Sequence, residues 1–495
     1  MATPVADDKS PRRRKKIPDI VFIGLILVDI ALIWVMLFGG ITNQQIGILT
    51  VILLLTLMAG GLPVGLSMIA ASIPGLYSIG GINVVESSVG TLAFSGVASW
   101  SLSVLPLFIL MGAIVGQSGI GELAYGAAAK SIGRVPGGLA VATNLSGGAM
   151  AATSGSSMGI TLSLGKIAIP QMLRDGYAPS LATASVAMAG SLGQVIPPSI
   201  LLVVYAGVAQ VPVGPALVAG VVPGILLAAA FSLVIIIHAS VNPSIAPRSP
   251  ERVPFATKLR ALPGALPALA IMIVVIGGIL LGIVTSTEAA ALGVLAALVI
   301  SVVVRKYTSV GAAARGGQGF GRFLWSSATD AAMTTASIFL ILVGSLLLTR
   351  TLALTGASQD LTEWLVGMEL GRIELLLLLM VTYLILGMFL ESLPMILLTV
   401  PLLLDPLAQV GVDPIFFGVF IIIMCEIGMV FPPIGFLTFV VHKVAQAPSV
   451  NLGQRVSLGA VFRGVMPFVA AAFVVLFVLS FWPDIVMWLP NLSSE

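Results

Sequence analysis

Charge is what this chain has least of: Asp, Glu, Lys and Arg together make up 9% of its 495 residues, where a soluble domain carries about 25%. A soluble enzyme is excluded on that ground. Cysteine is almost absent as well. The lone Cys425 rules out a disulfide framework within the chain and any multi-cysteine metal site. The two histidines, His238 and His442, stand alone near predicted helix ends and read as satisfied or interfacial side chains. No Gly-rich phosphate loop of the Walker type occurs, so the chain does not itself use ATP. No Ser/Lys or paired-Asp arrangement has the spacing or helical setting of an intramembrane protease.

What fills the chain is apolar: 58% of it is hydrophobic. At about 20 residues per span, the runs allow roughly 10 to 13 membrane passes, some of them half-length. The basic residues cluster in loops. Arg12, Arg13, Arg14, Lys15 and Lys16 precede the first run, which places the N-terminus in the cytoplasm; this run sets orientation and binds no nucleic acid. The stretch from Ile20 to Phe38 is long for a signal peptide and has no clear small-residue cleavage site. Arg248, Arg252, Lys258 and Arg260, set against Glu251, mark a second cytoplasmic loop, and Arg305 to Arg322 a third.

Two Pro-Pro pairs interrupt this apolar chain in matching surroundings. Gly193-Gln194-Val195-Ile196-Pro197-Pro198 and Gly428-Met429-Val430-Phe431-Pro432-Pro433 lie 235 residues apart, and the same offset relates Ser157 to Ser392, Gly176 to Gly411 and Pro179 to Pro414. Proline lacks an N–H and blocks the carbonyl four residues back, so the breaks free the carbonyls of Gly193 and Gln194, and of Gly428 and Met429. Bare carbonyls at membrane depth are tolerated only where protein or a polar cavity meets them. Paired broken helices in corresponding halves point to a transporter's binding centre.

The organisation follows. Residues 1–43 hold the basic N-terminus and an extra helix, and 44–238 a first half. That half contains a hairpin at about 137–170, split by Thr153-Ser154-Gly155-Ser156-Ser157, and a broken helix at about 180–209. A cytoplasmic loop (239–260) and connecting helices (261–350) lead to a second half, 351–495. Its hairpin, at about 374–405, is split at Phe389-Leu390-Glu391-Ser392, and a broken helix at about 414–446 and a final helix follow. Apolar pieces too short to span, joined at a break, read as re-entrant hairpins. Lys130, Arg134 and Arg174 flank the first, whereas Glu369, Glu374, Asp405 and Asp413 flank the second with Arg372 the only basic residue. Opposite flanking charge is what an inverted-topology repeat predicts. The expected fold is an all-α polytopic membrane protein with two re-entrant helical hairpins and two Pro-broken helices.

In such a fold each tip faces a break. At the first, hydroxyls and free carbonyls form a cage of about five or six oxygens without carboxylates, which suits a monovalent cation better than a divalent one. At the second, where the 235-residue offset maps Ser156 to Glu391, the cage draws on more backbone and admits one carboxylate. Ser/Gly runs also serve close helix packing, but the doubled break beside the run favours the cage. Glu391 and Glu426 lie inside apolar runs, where a charge costs at least about 2.5–3.5 kcal/mol; a proton relay and a structural hydrogen bond both account for Glu426. Thr285-Ser286-Thr287-Glu288 ahead of an alanine run fits a capping box. Asp330, with Thr334 and Thr335 a turn on, is a weak candidate for a polar lining.

At LPLFILMGAIVGQSGI (105–120), the SGSS tip, IPQMLRDGY (169–177), SLGQVIPPS (191–199), TSTEAAA (285–291) and EIGMVFPPIG (426–435), the sequence resembles the large membrane subunit of the tripartite ATP-independent periplasmic (TRAP) transporters. The resemblance runs from about residue 46 to the late 470s. It implies an ion-transporter-type elevator in a bacterial inner membrane, coupled to Na+, that imports a small organic acid. The implied partners are a small four-helix membrane subunit and a periplasmic substrate-binding protein. Carried over, a first sodium site uses Ser154, Ser156 and the carbonyls of Gly193, Ile196 and Pro198. A second uses the Glu391 loop with carbonyls of Gly428, Phe431 and Pro433, and Ser157 and Ser392 adjoin the solute. Phe431 stands where the family often has threonine, and Glu391 where aspartate is common. A proton-coupled or stand-alone carrier of organic anions, driven through Glu391 or Glu426, is the competing expectation.

Overall fold

The structure, a computed structural model, describes residues 19–99, 102–132, 135–247, 254–308 and 319–492. The basic run 12–16, Arg134, Arg248 and Arg252 lie outside the described residues. Every regular element among the described residues is helical. Seven helices are long and apolar enough to cross a membrane: Val21–Phe38, Val64–Phe94, Val213–Val241, Ser286–Lys306, Phe320–Leu354, Ser392–Gln409 and Leu458–Phe481. The pair Val104–Gly116 and Ile120–Ile132, bent by 62°, makes an eighth if it is one span. Shorter apolar helices include Pro414–Val430 and Phe436–Ala445.

The chain divides into two compact units. The first comprises residues up to Ala93 together with Val343–Asp360. Its helix Asn43–Ala59 opens on a capping box, Thr42 accepting from Gln45 N and Gln45 from Thr42 N. It stops where Gly61 takes φ +90 ahead of Pro63. Small residues let helices approach closely in apolar surroundings. Gly75 shows it: a Cβ there would sit 2.7 Å from Thr351 Cγ2 and 2.8 Å from Thr50 Oγ1.

The second unit is Phe94–Leu342 with Leu361–Glu495. The apolar stretch after Ser103 forms the helix Val104–Gly116. Thr285 and Glu288 form the expected capping box at the start of Ser286–Tyr307. Around the tips, the 235-residue register reappears in helix ends. Ser157–Arg174 and Ser392–Gln409 begin and end at repeat-related positions, as do the starts of Pro179–Ser191 and Pro414–Val430. Gly176 and Gly411 both turn the chain with positive φ, +80 and +71, a conformation open to glycine at no steric cost. Both Pro-Pro bonds are cis.

Candidate functional site

The first tip is made by its sequence. Gly138–Ser154 ends at Gly155, which is left-handed (φ 56, ψ 24) and donates its N–H to Ala151 O. Ser156 is extended and caps Ser157–Arg174, its hydroxyl accepting from Gly159 N at 3.2 Å. Gly155 is needed twice, for its positive φ and because a Cβ would sit 2.9 Å from Pro198 O. A Cβ on Gly193 would come within 3.2 Å of Ser156 C and Ser157 N. Hairpin tip and Pro-Pro break are therefore in backbone contact, bringing Ser156, Gly193 and Pro198 together. Ile196 sits alongside, its Cδ1 3.2 Å from a Cβ built on Gly148. The Ser154 side chain lies outside the described set.

Most of this break is buried, with Gln194 and Ile196 half-buried. Gly193, Pro197, Pro198 and Ser199 are all buried. Beside them Gln194 Oε1 and Thr161 Oγ1 are buried oxygens without a hydrogen-bond partner, two polar groups that motif reading did not single out.

The second half is built differently. Arg372–Gly387 and Ser392–Gln409 flank a break of four residues, and Glu391 is the N-cap of the second helix without a side-chain capping bond. Glu391 is exposed, as is Pro433, and Phe431 is half-buried. Gly428 lies against the first arm of the hairpin: a Cβ on it would stand 2.7 Å from Gly387 Cα. Its carbonyl accepts from Phe431 N at 3.2 Å, a donor shared with Ile427 O. Thr438 donates to the carbonyl of Val430 at 3.0 Å, so this broken end is partly satisfied by the chain itself.

Between the two tips stands Glu426, 3% exposed. Ser157 donates to its Oε2 at 2.8 Å and Ser392 to its Oε1 at 3.4 Å. These serines are the first residues of the two tip helices, so both tips meet at one carboxylate. Both accounts of Glu426, a structural hydrogen bond and a proton relay, are compatible with these two contacts. Ser157 and Ser392, expected beside the solute, are buried with their hydroxyls turned to this acid. Asp330 bonds Gln117 Nε2 at 2.8 Å, outside this cluster.

Repeated hairpins and broken helices in an all-helical, multi-pass chain define a membrane transport protein. The same fold occurs in the YdaH transporter of Alcanivorax borkumensis, whose crystal structure superposes with a TM-score of 0.60 at 14% identity, covering 82% of this chain and 90% of that one. The family is shown by sequence: the profile described as "Tripartite ATP-independent periplasmic transporter, DctM component" matches residues 51–485, and the chain belongs to that family. It is 31% identical over 393 residues to the C4-dicarboxylate TRAP transporter large permease protein DctM of Pseudomonas aeruginosa, covering 79% of this chain and 86% of that protein. It is 29% identical over 431 residues to the isethionate TRAP transporter permease protein DctMQ of Oleidesulfovibrio alaskensis, covering 86% of this chain and 64% of that protein. The protein is thus a TRAP large permease component, a transporter subunit and not an enzyme.

Proposed function

We propose that this permease imports a small organic acid by sodium-coupled, elevator-type alternating access. The observation that carries the reading is the contact of the Gly155–Ser156 tip with Gly193 and Pro198. It brings the Ser156 hydroxyl and the backbone of the break into one neighbourhood, and hydroxyl and carbonyl oxygens are a donor set suited to a weakly held monovalent cation. Ser156 and the carbonyls of Gly193, Ile196 and Pro198 would hold the first ion, with Ser154 as a further ligand. The unpartnered Gln194 Oε1 adds an oxygen to that neighbourhood. The second ion would take carbonyls of Gly428, Phe431 and Pro433 with the Glu391 loop, in a more open setting. Helix N-termini at Ser157 and Ser392 favour an anionic solute nearby.

The relatives support the substrate class, since one is named for C4-dicarboxylates and another for isethionate, all small organic anions. A periplasmic binding protein delivers the solute and a small four-helix membrane subunit completes the complex. Support for the latter is the DctMQ relative, of which this chain spans 64%, leaving room for a second component. The complex sits in a bacterial inner membrane with the permease N-terminus in the cytoplasm.

Uptake into proteoliposomes holding the reconstituted complex tests this. A dicarboxylate should accumulate only with an inward sodium gradient. Full transport in sodium-free buffer under a proton gradient would overturn the reading and favour a proton-coupled carrier.

A further inference from the structure

Among the described residues Glu426 is the acid whose carboxyl bonds both tips, and the ion cages do not use it. We propose that Glu426 is a positioning residue that couples the two cages, so that filling one changes the affinity of the other. The inference rests on the sodium reading above.

The contacts form one short chain. Ser157 follows the Ser156 ligand directly, and its backbone N abuts Gly193 of the first cage. The Ser157 hydroxyl is held by Glu426 Oε2. The other oxygen of the same carboxylate holds Ser392, which follows Glu391 of the second cage. Glu426 also stands two residues before Gly428, half a turn along the helix Pro414–Val430. A shift of either tip on ion binding therefore moves an acceptor that the other tip shares.

Two hydroxyl donors hold that acceptor, Ser157 at 2.8 Å and Ser392 at 3.4 Å. A buried acid held by the first residues of both tip helices is a strut between the two tips. Coupling through such a strut is reciprocal: each ion must raise the affinity of the other by the same factor.

The test is equilibrium binding of radiolabelled sodium to the purified full-length protein in lipid nanodiscs, with choline as the control cation; it saturates, so it yields a Hill slope and reads binding apart from transport. Wild type should show a Hill slope near 2, and Glu426→Gln a slope near 1 with the midpoint raised about tenfold. Glu426→Asp, which keeps the charge on a shorter arm, should fall between them. A purely structural strut would lower stability without sodium and leave the slope unchanged.

A folded Glu426→Gln protein with wild-type slope and midpoint overturns the proposal. If that variant does not fold, Ser157→Ala and Ser392→Ala each remove one tether and keep the acid; an unchanged slope in both is equally decisive. A wild-type slope of 1 would overturn the coupling alone. No sodium response in wild type would overturn the sodium reading, and this inference with it.

Discussion

Gly387 and Gly428 meet backbone to backbone: a Cβ on Gly387 would come within 2.8 Å of Gly428 Cα, and one on Gly428 within 2.7 Å of Gly387 Cα. These are distances at which something must shift. The first arm of the second hairpin is locked at this point to the helix that leads into the second Pro-Pro break, one turn from the broken end.

Gly428→Ala should therefore separate the two helices, at a cost of about 1–3 kcal/mol for overpacking. Gly387→Ala should cost a similar amount, and the double variant less than the sum, because once the helices have parted the second methyl meets open space. Thermal unfolding in nanodiscs measures all three. Strict additivity would mean that the two glycines do not share one contact.

Much of this arrangement was legible in the sequence, because proline, glycine and serine act locally. The 235-residue register places Ser157 and Ser392 at helix starts, Pro179 and Pro414 at first helical positions, and Gly176 and Gly411 at turns. The capping box at Thr285 and Glu288 was readable for the same reason. What escaped is tertiary. The helix Pro414–Val430 is buried from Phe416 to Val430, so no apolar stripe distinguishes the face that meets Gly387 from the face that carries Glu426. Helices hydrophobic all round give no such signal. Repeat symmetry and the family resemblance together pair the Glu391 loop with Gly428. The structure breaks that symmetry, since Ser156 caps its helix through its side chain and Glu391 does not.

The double role of Ser156 makes a sharper test of the first ion site than one alanine substitution. As an N-cap, its replacement by alanine should cost about 0.5–2 kcal/mol of stability, while glycine costs only a few tenths. Both replacements remove the ligand hydroxyl. Ser156→Gly and Ser156→Ala should thus lose sodium dependence to a similar degree while differing in melting temperature. Ser180→Ala, outside the cage, should leave sodium dependence intact. If loss of sodium dependence tracks melting temperature across the three, Ser156 is a cap and not a ligand.

The orientation of the two hairpins can be read from their bases. Arg174 and Gln409 end the repeat-related helices Ser157–Arg174 and Ser392–Gln409, and both are exposed. Their helices start at serines that share Glu426, so the two bases diverge from a common centre. With basic residues around one base and acidic residues around the other, the positive-inside rule assigns Arg174 to the cytoplasm and Gln409 to the opposite side. Single cysteines at these positions, in a Cys425→Ala background that removes the one native thiol, should react with a membrane-impermeant maleimide from opposite faces of oriented vesicles. An elevator needs this opposition, because moving one shared cavity past a fixed barrier must expose each hairpin to its own side in turn. Labelling of both positions from one face would put the hairpins in parallel and remove the basis for that mechanism.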